Sequence, residues 1–220
     1  MALVFRTVSQ PSITNEAPTP GELRRNDVVM VLWLALMLLL GIGLRSRALN
    51  ASRSLALGED LPRIAYPAGW SVTESDELTL QAKNLASVST FDSELTVFVR
   101  ALKENETLDL VRSGWGMGRS TDLTQYRELD SENVLVGDNL PGLLTSYAYI
   151  ADPSLASGAN GLPVVVEAQD LLFVQNNQLV AVTMAADADE WDNEAHHFRI
   201  VQRSLDVQPV TSTLAEGGQQ

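Results

Sequence analysis

The chain contains no cysteine. Disulfides, thiolate nucleophiles, Cys-ligated zinc and iron–sulfur clusters are thereby excluded together. So is a lipid-modified Cys, which leaves any membrane attachment to a helix, and the compartment stays open. Histidine is almost as scarce: His196 and His197 are the only pair, side by side. Adjacent helical residues point about 100° apart, so they are poorly placed to chelate one ion. One is expected to pack and the other to face water. No Ser stands in Gly-x-Ser-x-Gly and neither His has a recognisable nucleophile partner, which leaves little for acid–base chemistry near neutral pH. The expectation is a protein without catalytic residues, cofactor or metal.

Positive charge is the next scarcity. Fifteen Lys and Arg face 28 Asp and Glu, a net charge of −13. The imbalance is not uniform. Up to Leu57, six Arg (Arg6, Arg24, Arg25, Arg45, Arg47, Arg53) outweigh Glu16, Glu22 and Asp27 by three, so the remainder carries −16. A domain this acidic repels nucleic acid and anionic headgroups over a Debye length. Basic proteins, cations or water are its expected company, although such charge also serves solubility alone.

One stretch lacks polar side chains altogether. Val28 to Leu44 is 17 residues without a charge, about 25 Å as a helix and slightly short of a roughly 30 Å hydrocarbon core. Arg24, Arg25, Arg45 and Arg47 at its ends can snorkel to make up the difference. Lipid offers the backbone no partners, so the run should be helical. A cleaved signal peptide would be shorter in its apolar part and would end in a small-x-small site, which Arg45-Ser-Arg-Ala-Leu-Asn-Ala-Ser52 does not provide. Counting Lys and Arg around the run slightly favours the C-terminal side inside, but long domains translocate largely regardless of charge. The large domain is therefore expected on the extracytoplasmic side, periplasmic or extracellular. Ala35, Gly41 and Gly43 would let a neighbouring membrane helix approach closely.

The organisation that follows is a flexible tail over 1–27, a transmembrane helix over 28–44, a stalk or linker over 45–59, a soluble domain over 60–207 and a disordered tail over 208–220. Within the domain, Trp70 to Ser75, Leu78 to Ala82, Ser87 to Thr90 and especially Leu95 to Leu102 read as strands. Thr107 caps a helix with Leu108, Val111 and Trp115 on one face, and a second short helix is expected over Thr121 to Leu129. Gly142 to Ile150 is strand-like, and Asp152 to Gly161 reads as a loop. Leu162 to Val174 and Gln178 to Ala186 form a long hairpin turned by Gln175-Asn-Asn177. A helix from Ala188 to about Ser204 closes the domain. Strands, helices and a terminal meander predict an α+β fold, a mainly antiparallel sheet with helices on its faces.

Two further clusters bear on chemistry. Asp187-Ala-Asp-Glu-Trp-Asp192 supplies hard-cation candidates in Asp187, Asp189 and Asp192, but lacks the glycine and distal Glu of a calcium loop. Acids there would equally offset the dipole of the last helix. Gly114-Trp-Gly-Met-Gly118 has the glycines of a phosphate loop without the strand before it, and is expected to terminate its helix. Trp115 and Met117, if exposed, would make a protein contact.

The opening Tyr66-Pro-Ala-Gly-Trp70 resembles the entry of domains related to the photosystem protein PsbP and to Mog1. The strand Val180 to Ala186, followed by Phe198-Arg-Ile-Val-Gln-Arg-Ser204-Leu205, is similar to their closing hairpin and helix. The resemblance covers roughly residues 60–207. It implies a PsbP/Mog1-like α+β domain, non-enzymatic and often extracytoplasmic, that docks on or helps assemble a membrane complex. The chain departs from the lumenal photosystem protein in keeping an anchor and in lacking Lys-rich character, so neither its photosystem role nor a metal site is carried over. The expected function is a membrane-anchored accessory subunit of a larger membrane complex, with electron transfer or photosynthesis as one setting. Its partners would be the lipid bilayer and other membrane-protein subunits, not nucleic acid. The alternative is a tethered extracytoplasmic binding module for a soluble ligand or a basic protein.

Overall fold

The structure, a computed structural model, describes residues 19–152 and 162–210. The chain divides into two units, residues 1–48 and 49–220. Of the expected tails over 1–27 and 208–220, residues 1–18 and 211–220 lie outside the described residues, as does most of the Asp152–Gly161 loop; residues 20–27 are instead helical and Gln208–Pro209 form a short strand paired with Val134 and Leu135.

The described residues of the first unit lie almost wholly in helix α1 (Pro20–Leu49). Pro20 occupies its first position, where the missing N–H would be unpaired anyway. The helix therefore begins earlier than the apolar run and takes Arg24, Arg25 and Asp27 into its first turns. Leu23–Ala48 is long and apolar enough to cross a membrane, with a mean hydropathy of 2.5. At 1.5 Å per residue it spans about 39 Å, which removes the shortfall computed from the apolar run alone. Ala35, Gly41 and Gly43 are exposed on it, and Gly41 and Gly43 have nothing within 4 Å of a would-be Cβ.

The second unit begins before the expected boundary. The segment read as a stalk is helical only to Leu49. It then forms strand β1 (Ser52–Ala56), which pairs antiparallel with β2 (Arg63–Pro67). Leu57 follows into the core, because Gly58 to Pro62 turns the chain back instead of merely breaking a helix. The main sheet has eight strands, all neighbours antiparallel. In chain order they are β3 (Ser71–Thr73), β4 (Leu80–Asn84), β5 (Ser93–Ala101), β6 (Thr124–Val136), β7 (Leu140–Ala151), β8 (Val164–Gln175), β9 (Gln178–Asp187) and β10 (Gln208–Pro209). Their spatial order is β10-β6-β7-β8-β9-β5-β4-β3. Helix α2 (Leu108–Asp122) follows β5 and helix α3 (Trp191–Ser204) follows β9.

Period-two alternation assigns the faces. Leu95, Val97, Leu171, Phe173, Val180, Val182 and Met184 pack on one face with Phe198 and Val201 of α3, with Leu205 just after it, and with Ile64 and Trp70. Leu143, Leu172, Leu179 and Ala181 on the opposite face pack with Val111 of α2. Strand β9 is covered on both sides and is buried from Leu179 to Ala186, the pattern of a central strand. The β8–β9 hairpin closes on Asn176 and Asn177 at φ 49° and 60°, the two left-handed residues of a type I′ turn.

Four local expectations are corrected. The segment Thr121–Leu129 is not a second helix: α2 ends at Asp122, its last carbonyls met by the Leu123 N–H bonding Arg119 O. From Thr124 the chain is strand, because pairing with β7 buries Tyr126 against Tyr147. The glycines of Gly114-Trp-Gly-Met-Gly118 lie inside α2, tolerated because the helix is held by Val111 and Trp115 on the sheet. Residues Ser87–Thr90 form no strand: the loop is stapled by side chains, with Ser87 Oγ and the Val88 N–H donating to Glu190 and Ser89 Oγ donating to Asp187. The last helix starts at Trp191 rather than Ala188.

Candidate functional site

A groove runs beside α2 over the sheet face that α3 does not cover. Thr107 starts α2 by accepting the Leu110 N–H, as a capping Thr should. From there Val111, Trp115 and Arg119 recur at i, i+4 and i+8 toward the sheet. Arg119 and Trp115 converge on Asp170 of β8, which is 2% exposed. Arg119 donates from Nε to Oδ2 at 2.9 Å and from Nη2 to Oδ1 at 3.0 Å. Trp115 Nε1 donates to Oδ2 at 2.7 Å. Thr183 of β9 and Tyr147 of β7 donate to Oδ1 at 2.6 and 3.2 Å.

A buried carboxylate needs this degree of satisfaction to persist. Burial opposes the charge on Arg119, but Asp170 beside it outweighs that cost and raises its pKa. The guanidinium also lies over the rings of Trp115 and Tyr147, 5.3 and 5.7 Å from their centroids. Burial, with Asp170 adding to it, pushes the Tyr147 hydroxyl well above its ordinary range, and burial with Glu94 does the same for Tyr149. Both phenols stay protonated and neutral. This polar knot fixes α2 on the sheet and so fixes the wall of the groove.

The wider part of the groove, about 600 Å³, has Phe98, Trp115, Tyr147 and Tyr149 as its aromatic surface and Glu77, Glu94 and Asp122 as its acids. Glu94 pairs with Lys83 at 3.3 Å. Glu77 and Asp122 make no ion pair among the described residues. A second part, about 400 Å³, continues along α2 from Asp122 and Arg119 past Gly118 and Gly114 to Leu110, facing Arg100 and Lys103. Here Arg100 holds Glu106 by two bonds of 2.6 and 2.7 Å. The Arg100 hydrogen bonds and the Lys103 N–H draw the pKa of Glu106 down to about 2.

The expected site residues are scattered. Trp115 is half-buried and central to the groove, whereas Met117 is 71% exposed and does not line it. Asp187 is engaged with Ser89 and with the Asp189 N–H, while Asp189 and Asp192 are exposed. Among the described residues no group of three or more His, Asp or Glu side chains is gathered to hold a metal ion. The two histidine rings lie 3.7 Å apart, closer than their helical positions suggest. His197 bonds the buried Glu194 at 2.6 Å and packs edge-on to Trp70, while His196 bonds Asn193 O. Both belong to the helix on the other face. The residues that build the groove (Asp170, Arg119, Tyr147, Thr183, Glu94) were not singled out from sequence. One signal was available: Asp170 directly precedes the apolar Leu171-Leu-Phe-Val174 of a strand, and a strand that is buried tolerates such a charge only with a partner.

No family model matches the sequence, and no curated protein does. Solved structures do match. Cyanobacterial PsbP from Synechocystis sp. PCC 6803 aligns with 70% of this chain and 91% of its own at 14% identity, with a TM-score of 0.51. LpqN of Mycobacterium tuberculosis, involved in cell envelope biogenesis, aligns with 72% of this chain and 91% of its own at 10% identity, with a TM-score of 0.50. The Ran-binding protein Mog1p of Saccharomyces cerevisiae reaches a TM-score of 0.44 over 71% of this chain and 91% of its own, at 12% identity. At such identities the likeness is one of fold. The expected PsbP/Mog1-like α+β architecture, mainly antiparallel with helices on its faces, is borne out, the PsbP comparison carrying it.

Proposed function

We propose that this protein is a non-catalytic, membrane-anchored accessory module that binds a protein partner through the groove beside α2. The groove is the observation that carries the reading. It is concave, floored by aromatic rings, rimmed by a few charges and built on a helix locked to its sheet by the Asp170 knot, the combination expected of a preformed binding site. Both histidines sit on the opposite side of the sheet, and the aromatic and carboxylate surface of the groove suits recognition more than acid–base chemistry.

In this reading α1 crosses the bilayer and packs against helices of a larger membrane complex at Ala35, Gly41 and Gly43. The unit starting at residue 49 works on the extracytoplasmic side, in keeping with the envelope setting of the fold relative LpqN. A photo-cross-linking residue at Phe98, in the full chain extracted in mild detergent from native membranes, tests it. A discrete adduct at Phe98, absent from a control placed at Arg199 on α3, is expected. Recovery of the chain as a free monomer with no groove adduct would sink the proposal.

A further inference from the structure

The two ends of the groove differ in charge. At one end Arg100 is neutralised by Glu106 and Lys103 stands nearby. At the other, Glu94 and Asp122 line the space with Tyr149, and Glu77 lies between the ends, in the bend leading into β4, which pairs with the strand carrying Phe98. Arg119 is engaged with Asp170 and Lys83 offsets Glu94, so the carboxylates without an ion pair among the described residues are Glu77 and Asp122. Asp122 is placed against its own helix: a carboxylate in the last turn of α2 faces the negative end of the dipole and destabilises the isolated helix. Tyr149 is held neutral, so its ring offers a π-face without a competing anion.

Acids beside half-buried aromatic rings form the surrounding that attracts a cation through both charge and ring quadrupole. The groove is longer than a compact ligand needs. From Leu110 to Asp122 the groove follows α2 for about 18 Å, at 1.5 Å per residue. That is the reach of roughly five or six residues of extended chain.

Resting on the reading above, we propose that the groove takes an extended segment of a partner protein that places Arg or Lys side chains against the acids Glu77, Glu94 and Asp122 and the rings of Phe98 and Tyr149. The rest of the segment lies along α2 toward Arg100 and Lys103, where an acidic or polar residue fits. Guanidinium suits the site better than ammonium, because a planar cation can stack on a ring while donating to the rim.

The test uses the full chain in detergent micelles and fluorescence anisotropy of labelled hexapeptides. One set carries Arg at alternate positions between Leu, matched sets carry Lys, Gln or Glu instead, and Arg amide serves as the small cation. The Arg set should bind best, the Glu set not at all, and binding should weaken as salt is raised through 0.3 M. Glu77→Gln, Glu94→Gln and Asp122→Asn combined should weaken Arg-peptide binding about tenfold or more, the scale of lost charge complementarity at an interface. Thermal melts establish that the triple variant is folded. Should it fail to fold, Phe98→Ala alone is measured and must weaken binding several-fold. Equal binding of Gln peptides, no effect of either variant, or Arg amide binding as tightly as the hexapeptide would each overturn the proposal. A groove adduct at Phe98 with a partner whose bound segment lacks Arg and Lys would leave the docking function standing and refute only this assignment.

Discussion

Replacing Asp170 by Asn puts the knot under α2 to a direct test. The carboxylate accepts five hydrogen bonds, two at Oδ2 from Trp115 and Arg119 and three at Oδ1 from Arg119, Tyr147 and Thr183. An amide of the same shape keeps one acceptor oxygen and turns the other position into a donor facing donors. It also leaves the Arg119 charge without its counterion, in a side chain only 25% exposed. Breaking a buried pair from one side costs roughly 3–5 kcal/mol, and the residual exposure of Arg119 places this case near the lower end, about 3 kcal/mol. For a unit of this size that corresponds to a melting shift of about 6–12 °C. Thermal melts of the full chain in detergent, followed by near-ultraviolet circular dichroism, give the number.

The double variant Asp170→Asn with Arg119→Met supplies the control. It removes the stranded charge, so it should be less destabilised than the sum of the two single variants by at least about 1 kcal/mol. If Asp170→Asn costs less than about 1 kcal/mol, or the two changes add without coupling, the knot does not hold the helix and the reasoning is wrong.

Other outcomes follow from single residues. Gly114→Ala and Gly118→Ala should each stabilise α2 by up to about 1 kcal/mol in denaturant unfolding, since both are helical with nothing within 4 Å of the added carbon. Gly142→Ala should destabilise by about 1–3 kcal/mol, because its Cβ would stand 3.0 Å from Val136 Cγ2 and 3.3 Å from Leu172 O. Ser93 is fully buried and its hydroxyl has no partner among the described residues, so Ser93→Ala should be neutral or stabilising by up to about 1 kcal/mol. Burial works to raise the pKa of Glu194, but the hydrogen bond and charge of His197, with Asn84, prevail and lower it. Its contribution is therefore complete above the ordinary Glu pKa and is lost as pH falls through the lowered folded value. Melting temperature should drop over that acid range in the native chain, with a smaller drop in Glu194→Gln.

Several elements were legible in the sequence because local chemistry alone dictates them. A run without polar side chains between Arg pairs can only be a helix that seeks an apolar medium, although the structure extends it to Pro20 and Leu49. Gln175-Asn-Asn177 between two strand-like runs marks a turn, and β8 and β9 close there on Asn176 and Asn177. The PsbP-like entry at Tyr66 to Trp70 and the closing helix reported the fold because they are packing and turn residues. Where competing local signals were close, tertiary pairing decided. Thr124 onward became strand because β7 offered it a partner, and the glycines stayed helical because Val111 and Trp115 anchor them.

The groove belongs to a different level. Arg119 meets Asp170 from 51 residues away and Thr183 from 64, and no periodicity encodes which distant side chains share a face across three strands. The sequence by itself determined an apolar helix, an acidic α+β unit and the absence of thiol chemistry, since these depend on composition and short-range pattern. Only the tertiary structure decided that one buried aspartate would lock a helix over an aromatic, acid-rimmed cleft, because burial and pairing are properties of strand order and register.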